Sequence, residues 1–243
     1  MTQDNEIDTE HLRLYVIGDI HGRLDLLKNL IQKIRRDAET CAGESLTVTL
    51  GDYIDRGPDS FGVLDCLTSK PFPAHYIALK GNHEALLGAF LRDPAIGLDW
   101  LRLGGKETMS SYGLSVPSTL MPGNYQEMAD QLRASIPPEH LRFLETLKTS
   151  LISGRYFLCH AGIRPGVPFE LQSEDDLLWI RDEFLSSQAD FGKLVVHGHT
   201  PTEWPDIRPN RINIDTGAFA SGRLTCVVLE NESRRFLQAS QFD

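Results

Sequence analysis

The chain has 243 residues, of which 24 are Lys or Arg and 34 are Asp or Glu, so its formal net charge is -10. This length suits a single large domain, which can bury a full apolar core without structural metals or disulfides. The acidic balance excludes nonspecific attraction to nucleic acid or anionic lipid, so we expect neither nucleic acid nor a membrane as a partner.

The cysteines and the opening residues bear on the cellular compartment. Cys41, Cys66, Cys159 and Cys226 lie far apart, without the close spacing of a disulfide framework. Residues 1–10 carry four carboxylates and no basic segment followed by an apolar run, so no secretory signal is readable. No uncharged apolar stretch reaches membrane-spanning length. We therefore expect a cytoplasmic protein.

Six short apolar or β-branched runs are each followed by a polar cluster rich in glycine. This pattern is typical of buried strands that lead into loops in α/β proteins. The predicted strands cover residues 14–17, 46–50, 76–79, 156–158, 194–196 and 212–214. The loops after the first two strands should each lead into a helix, which gives the chain an α/β organisation.

Apolar residues at helical spacing predict helices over residues 24–36, 59–67 and 139–147. Residues from about 88 to 155 interrupt the alternation of strand and helix with Gly104-Gly105 and with prolines at 117, 122, 137 and 138. We predict that this segment is an inserted helical cap within one domain of residues 1–243, because the runs on either side of it should share one sheet.

Polar side chains that follow the predicted strands should meet at one edge, because open α/β sheets bind ligands beyond the carboxyl ends of their strands. Five of the chain's eight histidines take such positions. Imidazole mixed with carboxylate and amide ligands suits manganese, iron, zinc or nickel better than calcium or magnesium. The pattern therefore predicts a transition-metal site among Asp19, His21, Asp52, Asp55, Asn82, His83, His160, His197 and His199.

Each of these features has a structural alternative when it is taken alone. A single histidine is more often a hydrogen-bonded structural residue than a ligand. G-D-x-H-G alone is compatible with an ordinary turn, and Asp-Arg-Gly-Pro alone with the start of a helix. Four clusters that each follow a strand and each supply a metal-competent group favour the metal site over turn chemistry.

The ordered motifs resemble those of a known family. They are G-D-I-H-G at 18–22, G-D-Y-I-D-R-G at 51–57, G-N-H-E at 81–84, H-A-G at 160–162 and G-H at 198–199. The set resembles the phosphoprotein phosphatase branch of the calcineurin-like metallophosphoesterases, and above all its compact bacterial and phage serine/threonine protein phosphatases. The resemblance spans residues 14 to about 230. It implies an α/β/β/α sandwich of two mixed sheets flanked by helices.

The resemblance also implies two divalent metal ions at the strand ends, manganese in first place, with iron, zinc or nickel as alternatives. Asp52 would bridge both ions. The first ion would be bound by Asp19 and His21, and the second by Asn82, His160 and His199. The sequence reads Gly198-His199-Thr200-Pro201 and lacks the second histidine of the G-H-x-H in wider relatives, which fits the protein phosphatase branch.

Further residues take roles from the same resemblance. His83 corresponds to the general acid, and Asp55 to the carboxylate that orients it. Arg56 and Arg181 correspond to phosphate-binding arginines, and Arg164 is a rival for the second of these positions. His197 lies two residues before His199, so both side chains face the same way in an extended segment. The match to G-H favours His199 as the ligand and leaves His197 behind it.

The expected chemistry follows from this ligand set. Two divalent ions against two carboxylates leave about two positive charges to offset a phosphate dianion. A hydroxide that bridges the ions forms near neutral pH and attacks phosphorus directly. A histidine held by a carboxylate then protonates the departing oxygen. We therefore predict a metal-dependent phosphomonoester hydrolase, in first place a serine/threonine protein phosphatase, that acts on a phosphoprotein or a small phosphoester.

Two other functions are alternatives. The family of symmetrical dinucleoside tetraphosphate hydrolases also shows G-D-x-H-G and an Asp-Thr-Gly loop, but some members lack the Asp of D-R-G and read G-N-H-D, so Asp55 and Glu84 favour the phosphatase. A catalytically silent metal-binding scaffold protein usually loses the acid or an arginine, whereas His83 and Arg56 are present here. The oligomeric state stays open.

The segment D-T-G-A at 215–218 matches the loop of aspartic proteases. That chemistry needs two such carboxylates that share a proton. The chain has one such segment, so we interpret it as a turn near the site.

Overall fold

The structure is a computed structural model that describes residues 6–7, 12–41, 43–117, 121 and 124–243. The strands of this part of the chain are β1 (Glu6–Ile7), β2 (Arg13–Ile17), β3 (Ser45–Thr49), β4 (His75–Ala78), β5 (Ser150–Ser153), β6 (Tyr156–Cys159), β7 (Leu194–His197), β8 (Asp206–Ile207), β9 (Arg211–Asn213), β10 (Arg223–Glu230) and β11 (Ser233–Ser240).

The α-helices are α1 (Leu24–Ala38), α2 (Ser60–Thr68), α3 (Asn82–Arg92), α4 (Gly97–Trp100), α5 (Lys106–Ser111), α6 (Asn124–Ser135), α7 (Pro138–Glu145), α8 (Glu174–Trp179), α9 (Asp182–Leu185) and α10 (Ala218–Ser221). A π-helical turn, Leu101–Gly105, joins α4 to α5. No helix among the described residues combines the length and apolar character that a membrane crossing requires.

The strands pair into two mixed sheets. The first has the order β11-β10-β2-β3-β4, with β2, β3 and β4 parallel and β10 antiparallel to β2 and to β11. The second has the order β1-β5-β6-β7-β9-β8, with β6, β7 and β9 parallel. The motif loops follow the carboxyl ends of the parallel strands, where the sequence places the polar residues.

Alternating side chains along the strands build three apolar layers. Leu14 and Val16 of β2 belong to a cluster between the two sheets that includes Val196 of β7. Tyr15 and Ile17, on the opposite face of β2, pack with the buried stripe of α1. A third cluster joins the outer face of the second sheet to α8 and α9. The layers stack as helix, sheet, sheet and helix, which confirms the predicted α/β/β/α sandwich.

Two expectations about the insertion need correction. The six predicted strands on either side of it do not share one sheet, since β2, β3 and β4 lie in the first sheet and β6, β7 and β9 in the second. The predicted cap of residues 88–155 also includes β5, which belongs to the second sheet. Short apolar runs look alike in either sheet, so their pattern could not assign them. The single-domain boundary of 1–243 stays a prediction.

The predicted helices correspond to α1, α2 and α7, with ends that differ by two residues or fewer. Five described strands, β1, β5, β8, β10 and β11, were not among the six predicted ones, and of these β10 and β11 complete the first sheet as an antiparallel pair. These strands are not followed by the glycine-rich polar cluster that marked the other six. The pattern that predicted strands, an apolar run followed by a glycine-rich polar cluster, therefore detects only strands that lead into the loops of the site.

Candidate active site

Loops of both sheets bring their polar side chains into one buried cluster with Asp52 at its centre. Oδ2 of Asp52 lies 3.4 Å from Nε2 of His21 and 3.8 Å from Nε2 of His83. Oδ1 of Asp52 lies 3.4 Å from Nε2 of His160. None of these four residues exposes more than 2% of its surface. The loop after β3, the start of α3 and the loops after β2 and β6 therefore meet at one carboxylate.

Asn82 connects this centre to the loop after β7. Its Oδ1 lies 2.9 Å from Nε2 of His160 and 2.8 Å from Nδ1 of His199. Oδ2 of Asp19 accepts the backbone N–H of His199 at 3.0 Å, across a sequence separation of 180 residues. The structure thus brings all six predicted metal ligands into one connected cluster.

Two groups of side chains in this cluster are able to hold a metal ion. One consists of His21, Asp52 and His83, the other of Asp52, His160 and His199, and within each group the ligand atoms lie within 4.8 Å of one another. Asp52 belongs to both groups, as a bridging ligand must. The first group contains His83, for which the sequence predicts a different role, and Asp19 belongs to neither group.

The buried polar atoms of the cluster fit a bound cation. Oδ1 of Asp19 and the Nε2 atoms of His83 and His199 have no hydrogen-bond partner, although such an atom costs about 1–3 kcal/mol when left unpaired. Burial, together with the charge of Asp215, raises the pKa of Asp19 well above its usual value. Burial lowers the pKa of His21 to about 3 and that of His199 to about 2. Carboxylates held close together and the neutral imidazoles of His21 and His199 are donors that a divalent ion binds.

The backbone at the site is strained. Positive φ angles occur at five residues that are not glycine, and such conformations cost about 1–3 kcal/mol each. The angles are 45° at His21, 52° at Asp52, 70° at Asp55, 68° at Arg56 and 67° at His199. Strain of this kind persists where the surrounding contacts hold the chain in place, and it concentrates at functional sites.

Two motif glycines let the carboxylates approach the backbone. A Cβ atom on Gly198 would lie 2.0 Å from Oδ1 of Asp19, and one on Gly81 would lie 2.1 Å from Oδ1 of Asp52. Any side chain at either position would displace a predicted metal ligand. The glycines of G-H and G-N-H-E are therefore required by close packing at the site.

His83 and Asp55 form a buried pair next to Asp52. Nδ1 of His83 lies 2.7 Å from Oδ2 of Asp55, and both side chains are fully buried. Burial alone would lower the pKa of His83, but the carboxylates of Asp52 and Asp55 raise it above its usual value. With Nδ1 held by Asp55, the proton of Nε2 is the one that is free for transfer. This arrangement suits a proton donor.

Arg56 lies at the edge of the cluster. Its Nη1 is 3.1 Å from Nε2 of His21, and its guanidinium lies 4.9 Å from the centre of the Phe219 ring. A fixed guanidinium beside predicted metal ligands can bind phosphate oxygens through its paired donors.

Arg181 and Arg164 have different surroundings. Arg181 is exposed, and its charge adds to burial in lowering the pKa of His199. Arg164 is instead engaged by two carboxylates, with Nε 3.0 Å from Oδ2 of Asp176 and Nη1 2.8 Å from Oε2 of Glu183. Arg164 is thus held in ion pairs, whereas the exposed Arg181 acts electrostatically on the cluster, and the identity of the second phosphate-binding arginine stays a prediction.

His197 lies behind the cluster. Its Nδ1 is 3.1 Å from the carbonyl oxygen of Gly198, and its ring packs edge-on against Phe184 at 5.0 Å. Burial lowers its pKa to about 3. It belongs to neither metal-competent group, in line with the expected place behind His199.

Three residues that the motifs did not identify also contribute to the site. Asp215 makes a turn, since its Oδ1 accepts the N–H of Gly217 at 2.9 Å, but it is also a buried carboxylate whose charge acts on Asp19. Its place directly after a predicted strand was the available signal. Trp100 and Thr108 of the insertion both donate hydrogen bonds to Asp55. A buried tryptophan usually finds a partner for its N–H, but the sequence did not identify that partner.

Comparison with known proteins agrees with this architecture. The family model of calcineurin-like phosphoesterases matches residues 12–228. Serine/threonine-protein phosphatase 2 of Escherichia coli K12 is 30% identical over 235 residues, which covers 92% of this chain and 96% of that protein. The asymmetrical bis(5'-nucleosyl)-tetraphosphatase of Oceanobacillus iheyensis is 27% identical, and the match covers 88% of this chain and 87% of that protein.

Among solved structures, a cold-active protein-tyrosine phosphatase of a Shewanella species shares the fold. Its TM-score is 0.62 at 18% identity, with 97% of this chain and 83% of that chain covered. The chain belongs to the calcineurin-like phosphoesterase family and is a metal-dependent hydrolase of phosphoric ester bonds.

Proposed function

We propose that the protein is a dinuclear-metal phosphomonoester hydrolase whose preferred substrates are phosphoserine and phosphothreonine in proteins. The observation that carries the proposal is the position of Asp52, which is shared by two metal-competent groups and lies beside the His83–Asp55 pair. The likeness to a serine/threonine-protein phosphatase along almost the whole chain supports the substrate class.

Two divalent ions, manganese in first place, would be held by Asp19, His21, Asp52, Asn82, His160 and His199. Bound ions supply positive charge for a phosphate dianion and make an attacking water more acidic. A net charge of -10 makes such local positive charge necessary for an anionic substrate.

The chain's own residues would divide the remaining work. Arg56 and Arg181 bind the phosphate oxygens and orient the ester for direct attack by water. His83 gives the proton of Nε2 to the departing serine oxygen, while Asp55 holds Nδ1 and fixes the ring. Because a serine alkoxide is a poor leaving group, this proton matters more than it would for an activated ester.

Hydrolysis of dinucleoside tetraphosphates is the second candidate, because several relatives carry that activity in their names. Those relatives are named asymmetrical tetraphosphatases, whereas the alternative predicted from the sequence motifs was a symmetrical tetraphosphate hydrolase. The silent scaffold is disfavoured, since a protein without catalysis has no need of a buried His83–Asp55 pair beside Asp52. A cytoplasmic location and the absence of a nucleic-acid or membrane partner stay predictions.

The deciding experiment compares turnover on phosphoserine and phosphothreonine peptides, mononucleotides and diadenosine tetraphosphate, with manganese and after chelation. We expect the highest kcat/KM on the phosphopeptides, its loss on chelation and its recovery with manganese. A clear preference for diadenosine tetraphosphate would replace the substrate assignment. Full activity in metal-free protein would contradict the metal mechanism, and inactivity on every substrate with each divalent metal would favour the scaffold.

A further inference from the structure

The helical insertion reaches the proposed proton donor. Nε1 of Trp100 donates to Oδ2 of Asp55 at 3.1 Å, and Oγ1 of Thr108 donates to Oδ1 of Asp55 at 2.6 Å. Trp100, Thr108 and Asp55 are all fully buried. Both oxygens of the carboxylate that holds His83 are thus bonded to donors from the insertion.

The insertion also holds the backbone of this segment. The N–H of Asp55 donates to Oγ1 of Thr108 at 2.9 Å, and the N–H of Arg56 donates to the carbonyl oxygen of Gly104 at 3.2 Å. Asp55 and Arg56 have φ angles of 70° and 68°. A Cβ atom on Gly104 would lie 2.5 Å from the nitrogen of Arg56, so the two backbones are in direct contact. The insertion therefore holds both strained residues, Asp55 and Arg56, through hydrogen bonds to their backbone N–H groups.

The break in the helix is what allows both donors to reach one carboxylate. Residues eight positions apart in an unbroken α-helix point about 80° away from each other. Between Trp100 and Thr108, the π-helical turn Leu101–Gly105 contains Gly104 with a non-helical φ of 114°. Such π-helical turns inside helices occur frequently at functional sites.

The indole of Trp100 is fixed by packing. It stacks on Phe90 with ring centres 4.7 Å apart, and a Cβ atom on Gly105 would lie 2.5 Å from the indole ring. The indole N–H therefore has little freedom to leave Asp55. By contrast, the carboxylate torsion of an aspartate has a broad energy profile, so its orientation depends on such donors.

We propose that Trp100 and Thr108 are positioning residues that fix the Asp55 carboxylate and, through it, the ring of His83. The insertion is then part of the catalytic machinery, in addition to any role in selecting substrates. This inference rests on the proposed function, in which His83 is the proton donor. Loss of either donor leaves Asp55 free to turn and displaces Nε2 of His83 from the departing oxygen.

The kinetic test uses changes that remove the donor to the Asp55 carboxylate, and Thr108→Val also removes the acceptor of the Asp55 N–H. In Trp100→Phe and Thr108→Val, we expect kcat for a phosphoserine peptide to fall on the order of 10-fold, with KM and metal content unchanged. The rate on p-nitrophenyl phosphate, whose leaving group needs no proton, should change less than about twofold. Thr108→Ser restores the hydroxyl and should recover the rate.

Ser111→Ala is the matched control. Oγ of Ser111 accepts the N–H of Phe61 at 3.1 Å and donates to the carbonyl oxygen of Thr108 at 2.8 Å, so it links the insertion to α2 without touching Asp55. This variant should keep the ratio of the two rates. An equal loss on both substrates in Trp100→Phe, or an unchanged ratio in both donor variants, would overturn the inference.

A second measurement does not depend on activity. In the zinc-loaded full chain, the Nδ1–H of His83 should give a sharp, slowly exchanging proton NMR signal in the wild type and in Ser111→Ala. The signal should broaden or exchange faster in Trp100→Phe and Thr108→Val. A signal that stays sharp in both variants would overturn the positioning role even if the protein hydrolyses phosphoserine. An absence of phosphatase activity with the expected broadening would overturn the proposed function alone.

Discussion

Oε2 of Glu84 accepts the backbone N–H of Asp52 at 2.9 Å. The same oxygen accepts the N–H of Gly81 at 2.9 Å, and Oε1 accepts that of Tyr53 at 2.8 Å. The last residue of G-N-H-E therefore binds the backbone of the G-D-Y-I-D-R-G loop and joins the start of α3 to it. Burial and the nearby charge of Asp52 raise the pKa of Glu84 to about 7. Glu84 therefore contributes to the motif through these backbone hydrogen bonds, and it makes no contact with substrate in this interpretation.

Glu84→Gln should destabilise the protein and weaken metal binding. One acceptor oxygen becomes an NH2 group that faces backbone N–H donors, so we expect a loss of about 1–3 kcal/mol in the free energy of unfolding. Urea unfolding and metal analysis measure the two effects, with the exposed Glu145→Gln as control. Equal stability and metal content in Glu84→Gln and the wild type would show that the hydrogen bonds of Glu84 to the backbone do not stabilise the fold or the metal site.

Asp52→Asn should reduce metal binding at both positions at once. The change keeps the shape of the side chain but removes the charge shared by the two metal-competent groups. We expect turnover to fall by about 10²-fold or more, together with the metal content per chain. The exposed Asp130→Asn, in α6, should have neither effect. Retention of two metals with normal turnover would contradict the bridging assignment.

His83→Asn should affect substrates according to their leaving groups. We expect kcat to fall about 10²- to 10⁴-fold on a phosphoserine peptide and less on p-nitrophenyl phosphate, because a general acid matters most for a basic leaving oxygen. Asp55→Asn should act in the same direction more mildly, and the double variant should be little worse than His83→Asn. Equal losses on both substrates with metals retained would instead identify His83 as a ligand, in agreement with its place in a metal-competent group.

Arg181→Ala and Arg164→Ala should differ. Arg181 is exposed and its charge acts on His199, so we expect its loss to lower kcat/KM for the phosphoserine peptide on the order of 10-fold. Arg164 is engaged by Asp176 and Glu183, so its loss should leave kcat/KM within about twofold. The comparison requires steady-state kinetics on one substrate at fixed ionic strength. The reverse order would assign the phosphate contact to Arg164.

Asp37 should stabilise the protein in a pH-dependent way. Its Oδ2 accepts hydrogen bonds from Tyr15 at 2.6 Å, from Arg235 at 2.6 Å and from Arg13 at 3.2 Å. Burial would raise the pKa of Asp37, but these partners hold it below its usual value. This stabilisation is present above the unfolded-state pKa of about 3.9 and is lost as the pH falls through the lower folded-state pKa.

Asp37→Asn should therefore lower the free energy of unfolding by about 1–3 kcal/mol at pH 7. The difference from the wild type should shrink as the pH falls below about 4, where the wild-type carboxylate takes up its proton. Urea unfolding at a series of pH values measures this, with the exposed Asp130→Asn as control. A difference that stays constant down to pH 3 would show that the charge of Asp37 is not what stabilises the fold.

The sequence by itself placed the motif residues after buried strands, and their resemblance to a known family predicted the α/β/β/α fold. Each motif is a short loop after a buried strand, so the local pattern identifies the polar residues, while the resemblance supplies the roles expected of the ligands and of the His83–Asp55 pair. The same local signal failed for β10 and β11, which lead into no polar motif. It also could not assign strands to sheets, because apolar runs that are buried on both faces look alike in either sheet.

The tertiary structure alone decided which groups surround those residues. The contacts of Asp55 with Trp100 and Thr108 join residues 45 and 53 positions apart, and the choice between Arg181 and Arg164 depends on which of them meets Asp176 and Glu183. Hydrogen bonds at such separations depend on how the insertion packs against the loop after β3. Neither residue type nor local spacing encodes that packing, because it results from the burial of apolar surface over the whole chain.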